Sequence, residues 1–391
     1  MKVLMIAPQP FFQPRGTPIS VLHRLNTLSR LGHKIDLVTY HLGENIPIQN
    51  VTYRRMVNLP FVKKIKIGPS TTKIFLDIFL LLKSLKLLIT NRYDVIHSHE
   101  EAGFFATWLA KIFGTRHLYD MHSSLPQQLT NFKYSKFKPL IKMFELLERN
   151  TITNANAVIT ICPELFNYVN EKFPSKKQML IENVADNSVI FGEEKKSLNI
   201  RDKYNVKHKT LVLYSGTLEP YQGIDLLIKS SKIVLQKNKD VVFMVVGGHA
   251  DQIDQYKKMA EDYGVLDSYI FTGQVKPYEV KDYLEAADIL VTPRIEGNNT
   301  PLKIYEYLRS GRPIVATNHI THTQVLDTNV SVLTEPNAKA FASGISRILN
   351  DDELKRAIIE NALKLSEDKY SYQAYINKTE SIYSVLGNGK Y

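Results

Sequence analysis

Pro293-Arg-Ile-Glu-Gly-Asn-Asn-Thr-Pro-Leu-Lys-Ile-Tyr-Glu-Tyr-Leu-Arg-Ser-Gly-Arg-Pro313 is the stretch on which the reading of this chain turns. It follows a short apolar run, Ile289–Thr292, and crosses a polar loop to a helical pattern that Pro301 is suited to open at its first turn. A helix start presents free N–H groups and the positive end of the peptide dipoles, which suits a diphosphate. Arg294 and Lys303 flank that end and add charge, with Thr300, Pro301 and Leu302 at the turn itself. Glu306 lies three residues after Lys303, on the same helical face. A carboxylate there accepts two hydrogen bonds from a ribose diol. Taken alone, Lys303 and Glu306 also read as a solvated ion pair.

Outward from this stretch, strand-like runs alternate with helical patterns along the whole chain, the sign of parallel sheets wrapped by helices. One series runs through Val3–Ala7, Lys34–Tyr40, Val51–Val57, Asp94–His99, His117–Met121, Ala157–Ile161 and Met179–Glu182. A second runs through Leu211–Ser215, Val241–Val246, Tyr269–Phe271, Ile289–Thr292, Ile314–Thr317 and Val330–Leu333. Between them Val184–Tyr204 is polar and weakly periodic, which places the hinge there. At 391 residues the chain has the length for two α/β domains. The predicted division is residues 1–190, joined by a C-terminal helix at about 370–391, and residues 205–369.

Several function classes drop out. The turn after the first strand, Pro8–Thr17, holds one glycine, so the dinucleotide fingerprint is absent, and no Walker A sequence occurs. The single cysteine, Cys162, sits beside an apolar strand and reads as a packed thiol. The N-terminal apolar run is too short for a signal peptide, and Ile74–Ile89 is interrupted by Asp77, Lys83 and Lys86. These features predict a cytoplasmic protein, free or peripheral at the inner face of the cell membrane. Charge is uneven: residues 1–190 carry 24 basic and 13 acidic side chains, residues 191–391 carry 26 of each. The first half therefore faces something anionic, a membrane surface or a phosphorylated acceptor, whereas no nucleic-acid motif accompanies it. Lys63, Lys64 and Lys66 precede Ile74–Ile89, and Lys133, Lys136, Lys138 and Lys142 interleave with Phe132, Tyr134 and Phe137. Such stretches fit either an anionic interface or the solvated faces of helices.

Glu306-Tyr-Leu-Arg-Ser-Gly-Arg-Pro-Ile314 resembles the helix and tail of the Glu-x7-Glu motif of the retaining, GT-B-fold glycosyltransferases of family 4, the group 1 glycosyltransferases. The resemblance continues through Leu213–Leu227, Gly247-Gly248, Phe271–Val275 and Asp94-Val-Ile-His-Ser-His-Glu100. It implies an α/β GT-B fold, two Rossmann-like domains facing a central cleft, and Glu306 on the donor ribose. Gly216 would let backbone approach the diphosphate, Gly247 after the next strand would be a further donor-binding position, and Gln274 and Val275 would read the base through backbone. Arg15 and Gly16 stand at the family's glycine-containing loop. His99 points out past the end of its strand and, by the resemblance, would touch the transferred sugar, with His97 structural, while Asp120 and His122 either line the cleft or are satisfied strand-end groups.

The chain also departs from the pattern. The first motif glutamate falls on Asn298, so either Glu296 reaches the same place or Asn298 binds sugar hydroxyls without charge. Thr217 and Gln222 replace the usual Arg and Lys, which makes Arg294 and Lys303 the candidates to supply the missing cations. No His, Cys or carboxylate cluster shows metal-ligand spacing, in line with a family that needs no divalent ion. The implied reaction moves a sugar from a sugar nucleotide to a glycan or lipid-linked acceptor with retention, by same-face attack assisted by the leaving phosphate. Two other classes share these features: a GT-B sugar-nucleotide epimerase, and a non-catalytic scaffold.

Overall fold

Runs such as Val241-Val-Phe-Met-Val-Val246 have no polar side to turn to water, so they form strands covered on both faces. The computed structural model describes residues 1–13, 16–65, 70–127, 138–184 and 197–387. The chain divides into two units, Met1–Asn183 with the chain from Tyr375 onward, and Val184–Ala374. The boundary follows Asn183, and most of the predicted hinge lies outside the described residues.

In the first unit β1 (Lys2–Ala7), β2 (Lys34–Thr39), β3 (Val51–Tyr53), β4 (Val95–His99), β5 (Arg116–Met121), β6 (Ala157–Thr160) and β7 (Gln178–Leu180) form one parallel sheet of order β3-β2-β1-β4-β5-β6-β7. The helices between them are α1 (Gly16–Arg30), α2 (Thr71–Thr90), α3 (Ala102–Phe113), α4 (Lys138–Asn154) and α5 (Pro163–Lys172). Leu4, Ile6 and Ile96 pack with Leu76 and Leu80 of α2 and Ala106 and Leu109 of α3 on one face. The predicted strands at 51–57 and 179–182 are shorter or shifted, because β3 and β7 are edges with one neighbour to pair with.

The second unit repeats the plan. After a single turn, α6 (Ile200–Lys203), come β8 (Thr210–Ser215), α7 (Ile224–Lys237), β9 (Val241–Val246), α8 (Ala250–Asp262), β10 (Tyr269–Gly273), α9 (Val280–Ala286), β11 (Ile289–Thr292), α10 (Lys303–Arg309), β12 (Ile314–Thr317), α11 (Ile320–Thr323), β13 (Val332–Thr334), α12 (Ala338–Asn350) and α13 (Asp352–Tyr370). The parallel order is β10-β9-β8-β11-β12-β13. In each sheet the order reverses once, between β1 and β4 and between β8 and β11. Ligands of open parallel sheets bind outside the strand ends at such points.

The last helix, α14 (Tyr372–Gly387), returns three side chains to the first unit at four-residue spacing. Tyr375 lies against the Arg24 guanidinium at 5.0 Å, Thr379 Oγ1 accepts from Arg24 Nη1 at 3.5 Å, and the Tyr383 hydroxyl meets His97 Nδ1 at 2.7 Å. Arg24 is 2% exposed and donates from Nε to Asp120 Oδ2 at 2.9 Å. Burial alone would push the Asp120 carboxyl up, but Arg24 and the surrounding histidines hold it well below the usual range. Asp120 is fully buried, so the expectation that it lines a cleft gives way to a role as interior counter-ion.

Replacing Asp120 by Asn leaves the buried guanidinium uncompensated and should destabilise the protein by about 3–5 kcal/mol at neutral pH in denaturant melts. The folded-state pKa of Asp120 is depressed, so its contribution is complete above the unfolded value of about 3.9 and fades as pH falls below it. The gap between wild type and D120N should accordingly narrow in acid. An equal gap at all pH values would contradict the assignment.

Candidate functional site

The strand ends of the second unit carry the positive charge. Gly216 follows β8 with φ of 143°, and Gly247 follows β9 with φ of 121°. A Cβ on Gly247 would run into the Gly216 carbonyl, and one on Gly216 would lie 3.0 Å from Lys303 Nζ and from the Tyr214 hydroxyl. Only glycines permit this approach of two strand ends and a lysine.

Lys303 is 8% exposed, with Nζ 3.6 Å from the centre of the Tyr214 ring and 3.4 Å from Gln222 Oε1. Gln222 in turn donates to Thr217 Oγ1 at 3.3 Å. The two positions where the family pattern has cations are therefore in hydrogen-bond contact, and Lys303 reaches the second from another element. Arg294, 9% exposed, lies over the Tyr221 ring at 5.0 Å and donates from Nε to the Glu296 carbonyl at 2.8 Å. Neither cation has a carboxylate within ion-pair distance among the described residues. Burial first, and Arg294 second, hold the Lys303 ammonium well below the usual lysine range.

The helix end itself offers less than expected. Helix α10 begins at Lys303, not Pro301, and the N–H groups of Ile304 and Tyr305 already donate to the Pro301 and Leu302 carbonyls. Three-residue turns spend these donors, so the charge comes from side chains. Thr300 Oγ1 is buried without a partner among the described residues. Glu306 is half-buried one turn into α10. Glu296 is exposed, whereas Asn298 is half-buried and its carbonyl accepts from Gln324 Nε2 at 2.6 Å. Gln274 is exposed and Val275 half-buried beyond β10.

Several supporting residues escape a sequence reading. Tyr214 and Tyr221 provide the aromatic faces beneath the two cations, and the Tyr307 hydroxyl accepts from the Ser215 N–H at 2.9 Å. His322 bridges Thr292 Oγ1 at 2.9 Å and the Thr317 carbonyl at 2.9 Å, and the Thr317 hydroxyl donates to the Arg294 carbonyl. Burial pushes His322 down to about 3, so it is a neutral bridge. The period-two relation of Tyr214 to Gly216 was a usable signal for the first of these.

In the first unit, the His97 and His99 rings stack at 4.7 Å and 18° on one side of β4. His97 Nε2 lies 3.2 Å from Asp120 Oδ2, which as a carboxylate accepts, so Nδ1 accepts from the Tyr383 hydroxyl. His99 is wholly buried rather than projecting past the strand, because β5 places Asp120 and His122 beside it. Its Nδ1 meets His122 Nε2 at 2.9 Å, and its buried Nε2 has no partner among the described residues. Burial pushes His99 well below the usual histidine range. Gly16 opens α1, Thr17 Oγ1 donates to Glu100 Oε1 at 3.2 Å, and Arg15 lies outside the described residues.

Folding also creates a grouping that spacing did not reveal. His97, His99 and Asp120 each offer a ligand atom within 4.8 Å of the others. Asp120 Oδ2 already accepts from Arg24, so a divalent ion would sit beside a fixed guanidinium charge. The trio suits an ion pair with histidines around it better than a metal. Cys162 is buried, and burial pushes its thiol up to about 11, which leaves it unreactive. A cavity of about 340 Å³ lies at the opposite, amino-terminal ends of β8 and β11, where Arg201 and Lys209 are paired with Asp288 and Asp240. It offers no unmatched charge comparable to Lys303.

Comparison with known proteins gives the same division. Residues 14–188 match the family model described as Glycosyltransferase Family 4, and residues 196–365 match that of Glycosyl transferases group 1. A phosphatidyl-myo-inositol mannosyltransferase of Mycobacterium tuberculosis is 22% identical over 100% of this chain and 98% of its own length. Sucrose-phosphate synthase of Thermosynechococcus elongatus superposes with a TM-score of 0.78 at 19% identity, covering 99% of both chains. The HepE protein of Anabaena in complex with UDP superposes with a TM-score of 0.74 at 16% identity, covering 98% of this chain and 100% of that one. With both halves matched in order and two parallel Rossmann-like sheets in place, the chain belongs to the group 1 glycosyltransferases of the GT-B fold.

Proposed function

We propose that this glycosyltransferase takes its sugar from a nucleoside-diphosphate sugar and passes it to a hydroxyl of a glycan or lipid-linked acceptor, with retention of configuration, in the making of a surface polysaccharide or glycolipid. The observation that carries the reading is the pair of buried basic side chains, Lys303 and Arg294, without a carboxylate beside them among the described residues, at the carboxyl ends of β8 and β11. A buried charge is costly unless paired, and a diphosphate is the partner that fits two cations and an open glycine backbone. As the sugar leaves, charge grows on the diphosphate oxygens. Lys303, Arg294 and the Gly216 backbone are then the stabilising groups.

Glu306 takes the ribose diol, Thr300 Oγ1 and Asn298 take sugar hydroxyls, and Gln274 and Val275 border the base. The two side-chain cations do what a divalent ion does elsewhere, so no metal is required. The UDP complex of HepE supports a nucleotide donor, and the similarity to a mycobacterial phosphatidyl-myo-inositol mannosyltransferase supports a lipid-linked acceptor.

Three measurements test this. A K303M variant, close in shape and uncharged, should bind UDP or GDP about 10–100-fold more weakly by calorimetry, the loss of one hydrogen bond to a charged group. Adding Q222K to it should recover part of the affinity, since Gln222 Oε1 already touches the Lys303 ammonium. Undiminished binding by K303M would sink the reading. Because Lys303 must be protonated to meet phosphate and its pKa is depressed, wild-type affinity should also fall as pH rises, with proton uptake on binding that K303M lacks.

The variant E306Q should weaken a nucleoside diphosphate roughly tenfold while leaving pyrophosphate unaffected, a difference of about 1.4 kcal/mol assigned to the ribose. Equal losses for both ligands would place Glu306 elsewhere. With a productive donor and acceptor pair, NMR of the product should show the donor's anomeric configuration, and a chelator should leave the rate unchanged; inversion or loss of activity would contradict the proposal.

A further inference from the structure

Helices α2, α3 and α4 cover one face of the first sheet, α3 packing against both of its neighbours. Their inner sides supply the core. Their outer sides are unexpectedly apolar. Nine of the sixteen large hydrophobic side chains exposed among the described residues lie on these three helices. On α2, Ile74, Ile78 and Leu82 recur every four residues at 57%, 53% and 54% exposure, and Ile89 continues the line two turns on. On α3, Trp108 and Ile112 do the same at 56% and 71%. Met143 and Leu146 add a third strip on α4. Scattered exposed leucines need no explanation, but parallel strips on adjacent helices do.

Charge says what covers them. Lys86, Lys111, Lys138, Lys142 and Arg149 are exposed on these helices, against one exposed acid, Glu145. The remaining acids turn inward to partners: Asp77 accepts from the Tyr40 hydroxyl at 2.6 Å, and Glu148 accepts from Ser124 at 3.1 Å. A second copy of the chain meeting this face across a two-fold axis would set these cations against their own copies. No helix among the described residues is long and apolar enough to cross a membrane. An apolar surface ringed by lysines and carrying a tryptophan matches the boundary of a bilayer that contains anionic lipid.

We propose that the outward face of α2, α3 and α4 docks on an anionic lipid surface, the apolar strips entering the headgroup boundary and the lysines pairing with phosphates. This goes beyond the donor site and does not depend on it. The predicted basic stretch at 131–145 contributes Lys138 and Lys142, while Lys133 and Lys136 lie outside the described residues.

Sedimentation of the full chain with vesicles tests the proposal, with UDP binding as a check that each variant is folded. Vesicles of equal parts phosphatidylcholine and phosphatidylglycerol should bind the wild type at least about tenfold better than phosphatidylcholine alone. The exposed-site double variant I78S/W108S, and separately K138Q/K142Q, should each lose about tenfold in binding to the anionic vesicles while UDP binding stays unchanged. Wild type that fails to sediment, or variants that bind as well as wild type, would overturn it. So would concentration-dependent dimerisation that I78S/W108S abolishes in the absence of vesicle binding, because the face would then belong to a second copy.

Discussion

The cost of burying positive charge organises both units, and they answer it in opposite ways. In the first, Arg24 is buried against Asp120, with His97, Thr379 and Tyr383 completing the hydrogen bonds. The charge is balanced inside the fold, and an ion pair of this kind holds a C-terminal helix in place. In the second, Lys303 and Arg294 are buried against aromatic rings and a neutral amide. Quadrupole attraction from a ring is a weaker partner than a carboxylate. The second unit therefore leaves a charge to be matched from outside, which separates a site from a core feature.

The sheet topology decides where that charge appears. Parallel strands must be joined by crossovers, and the crossover direction reverses between β8 and β11, leaving a gap at their carboxyl ends. Gly216 ends one of these strands, and Arg294 follows the other. Aromatic residues then set the positions of the cations: Tyr214 within β8, Tyr221 in the following turn, and Tyr307 from α10 holding Ser215. The family pattern places its cations after the first glycine of this unit, at 217 and 222. Here a lysine on a different element reaches the second of these positions, its Nζ 3.4 Å from Gln222 Oε1.

Much of this was legible in the sequence. Six strands of the second sheet and seven of the first are apolar runs bounded by turn residues, and their cores match the observed elements closely. Edges were less legible, because β3, β7 and β13 are cut short by having one neighbour, a fact that no local pattern carries. The start of α10 was misplaced by two residues, since Pro301 satisfies the rule for a first helical position but the chain turns there before the helix begins. His99 was expected to project past its strand. Burial beneath Asp120 and His122 follows from pairing with β5, a contact across more than twenty residues.

What the sequence by itself determined is the set of local requirements: two series of buried strands, glycines where backbones meet, cations displaced from their usual positions, and an excess of positive charge in the first half. Periodicity and residue chemistry act over a few neighbours, so they survive in one dimension. The tertiary structure alone decided which distant groups share a charge. It paired Arg24 with Asp120 and left Lys303 without a carboxylate among the described residues, brought His97, His99 and Asp120 within ligand distance of one another, and turned Asp77 of α2 and Glu148 of α4 inward while leaving Lys86, Lys138 and Lys142 outside. Electrostatic energy depends on separation in space and on local burial, and both are set only when the sheets close over their helices.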